Sequence, residues 1–252
     1  MIEGIEITTL TERPHLAQKV DTLDGGWPEF MRHDQVGQGF YLDAAEHYTD
    51  YTVIATPADS PDEVIARGYS VPIGLAEEPP AGLPDTGWDA AIILGRIARF
   101  AGYGGDALCG LEVNIRPDMR SSGLGAEILR RFHAIARAKG MRHFVAPVRP
   151  PGKTAVPEMT LAEYVARLTP EGLPADPLLR AHARLGASIV GIAPASMVVV
   201  GSLAQWRRWT GLPFDTDGPV IVPGAMVPVH CDLTHDSAAY VEPNVWVHQP
   251  LS

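Results

Sequence analysis

The stretch that most limits what this chain can become is L-E-V-N-I-R-P-D-M-R-S-S-G-L-G-A, residues 111–126. It sets an apolar strand, a glycine-bearing turn and a helix start in immediate succession. Leu108–Ile115 is rich in apolar residues and is expected to be a strand. Ala126–Lys139 carries Ile128, Leu129, Phe132, Ile135 and Ala136 at helical spacing, so one face is apolar. Glu127 opens that helix, Arg137 and Lys139 close it, and Gly140 stops it, all in agreement with the helix dipole. A helix start leaves backbone N–H groups unpaired and partly positive, which suits an anion. Gly123 and Gly125 let a phosphate approach the backbone, Ser121 and Ser122 add hydroxyl donors, and Arg120 adds charge at the rim.

Charge supports a small polyanion over a polymeric one. The chain has 252 residues and a formal net charge of −10, which argues against nucleic-acid binding. Eight of its 20 basic residues and two of its 30 acidic ones nevertheless fall between Arg116 and Arg149. That is either a local positive field or the solvated face of a helix. Two familiar phosphate loops do not fit. A Walker loop needs G-x-x-x-x-G-K-[ST], which is absent, and the dinucleotide pattern needs a third glycine where Ile128 stands.

Around this core the chain is expected to alternate strands and helices. Ile2–Thr8 is expected to be a strand, Arg13–Leu23 a helix, and Trp27–Tyr48 a helical region broken by Gly37 and Gly39. Tyr51–Ala55 and Val64–Val71 form a hairpin pattern, Glu77–Gly87 a loop, and Trp88–Phe100 a helix. His143–Val148, Ser188–Ala193 and Met197–Val200 are further strands. Leu161–Leu168 and Pro177–Leu185 are helices. The last fifty residues are expected to be strand and turn, punctuated by five prolines from Pro213 to Pro243. The expected architecture is α/β (α+β): a mixed, mostly antiparallel twisted sheet flanked by helices, with a β-rich C-terminal extension. The domain reading is a core over residues 1–200 with an insertion at 147–177, and an extension over 201–252 packed on it.

The run at 111–126 resembles motif A of the GCN5-related N-acetyltransferase (GNAT) superfamily, written V-x-P-x-x-R then [QR]-x-x-G-x-[GA]. Ile115 replaces the usual valine, while Pro117, Arg120, Gly123 and Gly125 match. Residues 176–187, D-P-L-L-R-A-H-A-R-L-G-A, resemble the family's later helix ending Y-x-x-x-G-F, and 147–177 resembles an insertion of some bacterial members. The resemblance covers about residues 50–200. It implies acetyl-CoA or another acyl-CoA as co-substrate, with the Val113–Ile115 backbone along the pantetheine. Arg120, Ser121, Ser122, Gly123, Leu124, Gly125 and Ala126 would hold the pyrophosphate. It further implies transfer of the acyl group to the amine of a small-molecule acceptor, and a homodimer.

Such transfer needs a neutral amine, a donor for the oxyanion and a proton for the leaving thiolate. Strand alternation puts Glu112, Asn114 and Arg116 on one face, opposite Val113 and Ile115. Glu112 is the candidate general base and the Asn114 backbone N–H the candidate oxyanion donor. The resemblance puts His182 where many members carry an acidic tyrosine. A histidine there also suits a GNAT-like decarboxylase or a carrier-loading S-acyltransferase, and a module that binds CoA without chemistry is the third reading. The acids and histidines from His230 to His248 show no metal-ligand spacing, so no metal is expected. Cys109 and Cys231 are expected as free thiols. No secretory pattern at Met1–Leu10 and no membrane-length apolar run point to a cytoplasmic protein with no membrane partner.

Overall fold

The computed structural model describes residues 2–20, 22–23 and 26–251. The chain opens with β1 (Ile5–Thr9), a 3-10 turn at Pro14–Leu16 and the short α1 (Ala17–Val20). The helix expected over Arg13–Leu23 is therefore confined to a single turn. A second 3-10 turn, Glu29–His33, leads to α2 (Gln35–His47). Gly37 and Gly39 do not break this region; both lie inside α2. The break falls at Asp34, whose carboxylate accepts from the Gly37 N–H and caps the helix. Gly37 is there for proximity, since a Cβ would sit 3.0 Å from the Trp88 ring.

The expected hairpin forms as β2 (Thr52–Pro57) and β3 (Ala66–Ile73), followed by α3 (Gly87–Phe100), β4 (Ala107–Ile115), α4 (Leu124–Ala138) and β5 (His143–Val148). The 147–177 region holds a 3-10 turn at Pro151–Ala155 and α5 (Leu161–Val165), closed by a Thr160–Glu163 capping box. Asp176 caps α6 (Pro177–Arg184) by accepting from the Leu178 and Leu179 N–H groups. The two strands expected at 188–200 are one, β6 (Ser188–Ser202), with an irregularity between Ala193 and Met197. The last fifty residues also contain a helix that strand-and-turn reading misses. This is α7 (Leu203–Thr210), started by a Ser202–Gln205 capping box and stopped by Gly211 in the left-handed region (φ 72°). Short β7 (Gly218–Val220), β8 (Val229–Asp232) and long β9 (Ser237–Pro250) complete the chain.

The described residues form one nine-stranded sheet, in the order β1-β2-β3-β4-β5-β9-β8-β7, with β6 paired to β9. Every pairing is antiparallel except β4–β5. Segment 201–252 thus supplies β9, which runs between β5 and β6: Val245, for example, pairs with both Val148 and Ile192. Each face of the sheet carries its own core. On one side α4 sets Ile128, Leu129 and Phe132 against Phe144, Val245 and Val247. On the other, α2 and α3 set Phe40, Trp88 and Ile92 against Tyr69, Val71 and Trp246. Phe132 is fully buried, and its truncation to alanine would cost about 3–5 kcal/mol.

Candidate functional site

The site begins where a strand loses a neighbour. β4 pairs with β5 only over Ala107–Cys109 against His143–Val145, after which the two parallel strands diverge. Beyond that point β4 remains paired to β3 alone, through a bulge between Tyr69 and Ser70 that spans Leu111. The bulge resets the alternation. Leu108 packs in the α4-side core and Cys109 in the α2/α3-side core, as alternation requires. Leu111 stays on the α2/α3 side, yet Val113 and Ile115 then join the α4 side. Leu111 and Glu112 consequently share one face of the sheet. The indole N–H of Trp88 donates to the Leu111 carbonyl (3.0 Å) and holds this kink from α3.

A cleft of about 270 Å3 opens between the diverging strands. Gly110–Val113 form its β4 wall, Ala146–Val148 its β5 wall, and Leu129 and Phe132 of α4 its floor. Gly110 is required there, because a Cβ would sit 3.0 Å from the Phe144 ring. From α6 come Leu178 and His182, and opposite lie Trp27, Trp88, Met197, Arg149 and Glu242.

At the far end of β4 the backbone passes twice through the left-handed region, at Ser121 (φ 69°) and Gly123 (φ 89°), before α4 starts at Leu124. No side chain caps α4 from Gly123; Ser122 Oγ accepts a 3.3 Å bond from the Leu124 N–H. A left-handed residue turns neighbouring N–H groups to one side, which makes a concavity for an anion. The turn is open, with Arg120 through Gly123 exposed. Most of the basic residues around it do not contribute a free positive field. Arg116, Arg130, Arg131, Lys139, Arg142 and Arg149 are each ion-paired to carboxylates. Arg120 makes no ion pair among the described residues, so its charge is available to the turn.

The Glu112 side chain is buried, 5% exposed, and heavily engaged. It accepts from Arg67 Nε (3.0 Å), from the Trp27 indole (3.3 Å) and from the Tyr41 hydroxyl, all beside the cleft. Burial, and then the Glu112 charge, hold the Tyr41 phenol well above its ordinary range, so it stays protonated. Asn114 is buried beneath the cleft lining, its Nδ2 donating to Leu23 O (3.4 Å), and neither Asn114 nor Ile115 reaches the lining. His182 is on the lining, its ring stacked 6.2 Å from Phe144, while His133 meets Phe144 edge-on at 4.6 Å. Burial pushes His182 down to about 4, helped by His133, and likewise His133 to about 4, helped by Arg137. Both imidazoles are neutral at neutral pH. The structure therefore brings Glu112, Val113 and His182 to one cleft and leaves the turn at 120–126 at the end of the same strand.

Several lining residues escape sequence reasoning. Arg149 donates to Glu242 (Nε, 2.8 Å) and to Gly224 O (2.6 Å), and Tyr240 also donates to Glu242 (2.6 Å). Burial works against the Arg149 charge, but Glu242 more than restores it. Asn244 links Glu242 to Ser196, which receives the Trp88 backbone N–H. The acids and histidines near the C-terminus part company: Glu242 joins the cleft, His248 pairs with His143 (3.1 Å), and Asp232 with His235 (2.7 Å). Cys109 and Cys231 are buried free thiols. No helix among the described residues is long and apolar enough to cross a membrane.

No family model matches the chain. It is 30% identical to the arginine N-acetyltransferase avaD of Aspergillus versicolor, over 98% of this chain and 94% of that protein. Among solved structures, the loading GNATL domain of CurA from Lyngbya majuscula superposes with a TM-score of 0.62 at 19% identity, covering 98% of each chain. The GphF GNAT-like decarboxylase in complex with isobutyryl-CoA gives 0.52 at 18% identity, over 98% of this chain and 99% of that one. These two likenesses speak to the fold. The curated relative, similar along nearly its whole length, is fungal, where the insertion at 147–177 had suggested bacterial kin.

Proposed function

The chain belongs to the GCN5-related N-acetyltransferase superfamily, and on that premise we propose that it acetylates an amine of an arginine-like small molecule, using acetyl-CoA as co-substrate. The observation that carries this reading is the divergence of β4 from β5, which opens a cleft reaching Glu112 and His182, with the exposed turn at 120–126 at the far end of the same strand. In the reaction the amine lone pair attacks the thioester carbonyl, the C–N bond forms and the C–S bond breaks. The amine gives up one proton and the CoA sulfur gains one.

In this reading, Arg120 and the backbone of Ser121–Ala126 hold the pyrophosphate, and Val113 and Ile115 lie along the pantetheine. Backbone N–H groups freed where β4 leaves β5 serve the oxyanion, with the Gly110–Val113 stretch nearer the cleft than Asn114. Glu112, oriented by Arg67, takes the amine proton directly or through water. His182, being neutral, serves the leaving sulfur as an N–H hydrogen-bond donor rather than as an imidazolium acid. The insertion and the β9 segment shape the acceptor side through Arg149 and Glu242.

Incubation with acetyl-CoA and a panel of amines that includes arginine, read by thiol release and by product mass, tests the reading. An acetylated arginine-like product is expected. Tight acetyl-CoA binding with no thiol release on any amine would overturn it.

A further inference from the structure

Behind the aromatic wall of the cleft lies a second cavity of about 110 Å3, between the 3-10 turn at Glu29–His33, α2 and α3. Trp27, Trp88 and Met197 line both spaces, so the cavity adjoins the cleft. Its rings make a partial box: Trp27 and Trp88 have centroids 6.2 Å apart, and Tyr41 and Trp88 6.5 Å apart.

Asp34 is the carboxylate on this lining, and it is 3% exposed. It accepts from the Gly37 N–H but forms no ion pair among the described residues. Arg32, the cation among the described lining residues, is exposed and forms no ion pair with Asp34. Burial raises the Asp34 carboxyl above its usual range. Near it on α3 stands Asp89, whose Oδ1 is buried without a hydrogen-bond partner. Burial, and then the charge of Asp34, push Asp89 up to about 8. A desolvated carboxylate facing aromatic faces suits an organic cation, because rings attract a soft, weakly hydrated charge. A metal ion would need several oxygen ligands, which these rings do not supply.

We propose that this cavity holds the charged terminus of the acceptor, a guanidinium or ammonium group lodged against Trp88 and Tyr41 with Asp34 as counter-charge. The proposal rests on the amine-acceptor reading above and adds which end of the acceptor is gripped. A guanidinium stays protonated at any working pH, so it is the handle and not the nucleophile. An α-amine is a far weaker base than a guanidine, so it supplies the neutral nitrogen the chemistry requires much more readily. An arginine-like acceptor gripped by its side chain therefore presents its α-amine to the cleft.

The test is calorimetric titration of the full chain, in the presence of CoA, with arginine and with citrulline, its uncharged near-isostere. Arginine is expected to bind at least about tenfold more tightly, and Asp34→Asn to remove that preference by weakening arginine alone. Asparagine remains a good helix cap, so α2 keeps its start. The wild-type comparison needs no variant at all. Equal binding of the two ligands, no binding of arginine at millimolar concentration, or a preference that survives Asp34→Asn would each overturn the proposal. Product analysis keeps the two readings apart. Arginine binding without turnover sinks acetyl transfer and leaves the cation subsite standing, while equal turnover of arginine and citrulline does the reverse.

Discussion

The two walls of the cleft are encoded in different ways. The β4–α4 wall, Gly110–Val113 with Leu129 and Phe132, and the turn that joins its strand to its helix come from one short run of chain. The facing wall draws Trp27, Trp88, Arg149, Met197 and Glu242 from almost the whole length of the chain. In the proposed function the contrast follows from what each wall would handle. A phosphate is recognised by backbone N–H groups, so a strand, a turn and a helix start suffice, and these must be contiguous. An acceptor is recognised by side chains, which can come from any element that the fold brings near.

The sharpest break of the β4 wall is Arg67→Ala. It leaves the Glu112 carboxylate buried and without its ion pair, which should cost about 3–5 kcal/mol in urea denaturation. A cost below about 1 kcal/mol would mean the pair behaves as a surface one. Next is Gly123→Glu, which places a charged side chain at φ 89° where the phosphates would lie. Acetyl-CoA affinity should fall about 100-fold or more, while arginine binding measured without CoA stays unchanged. Loss of both would show that the walls do not act separately.

The histidines on either side of Phe144 set a third test. Each is pushed to about 4 from 6.5, so the unfolded chain binds protons between those values and the folded one does not. Their stabilising contribution is complete above pH 6.5 and is lost as pH falls toward 4. The melting temperature should drop over that window by several degrees, and His133→Phe should flatten the drop. A slope unchanged by the substitution would place the acid sensitivity elsewhere. A test of comparable size belongs to the acceptor side. Asp89 is raised to about 8 from 3.8, so here the folded state holds the proton and stability declines as pH rises between those values. Asp89→Asn should raise the melting temperature by several degrees at pH 8 and leave it unchanged near pH 4. An equal gain at both pH values would exclude the charge as its cause.

The legible parts of the molecule were those with local signatures. The boundaries of β5 at His143–Val148 follow from its apolar run, and the body and stop of α4 from apolar periodicity and a stopping glycine, although α4 starts at Leu124, two residues before the expected Ala126. The motif turn is legible for the same reason. Gly37 and Gly39 mislead because propensity marks them as breaks, whereas close packing of α2 on Trp88 makes Gly37 necessary. The bulge at Leu111 is invisible in a strand that still alternates, although it decides that Glu112 faces Arg67 and Tyr41. Glu242 stands in a histidine-rich stretch that invites a metal reading. Only its tertiary neighbours, Arg149 and Tyr240, show where it belongs.

The position of β9 also governs when the protein can become itself during synthesis. Among the described residues β6 pairs with no strand but β9, and β5 has its second edge covered only by β9. Until residues 237–250 have left the ribosome, the nascent chain holds two unclosed sheet edges and half a cleft. A chain truncated before residue 237 would thus yield a sticky, inactive product rather than a trimmed enzyme.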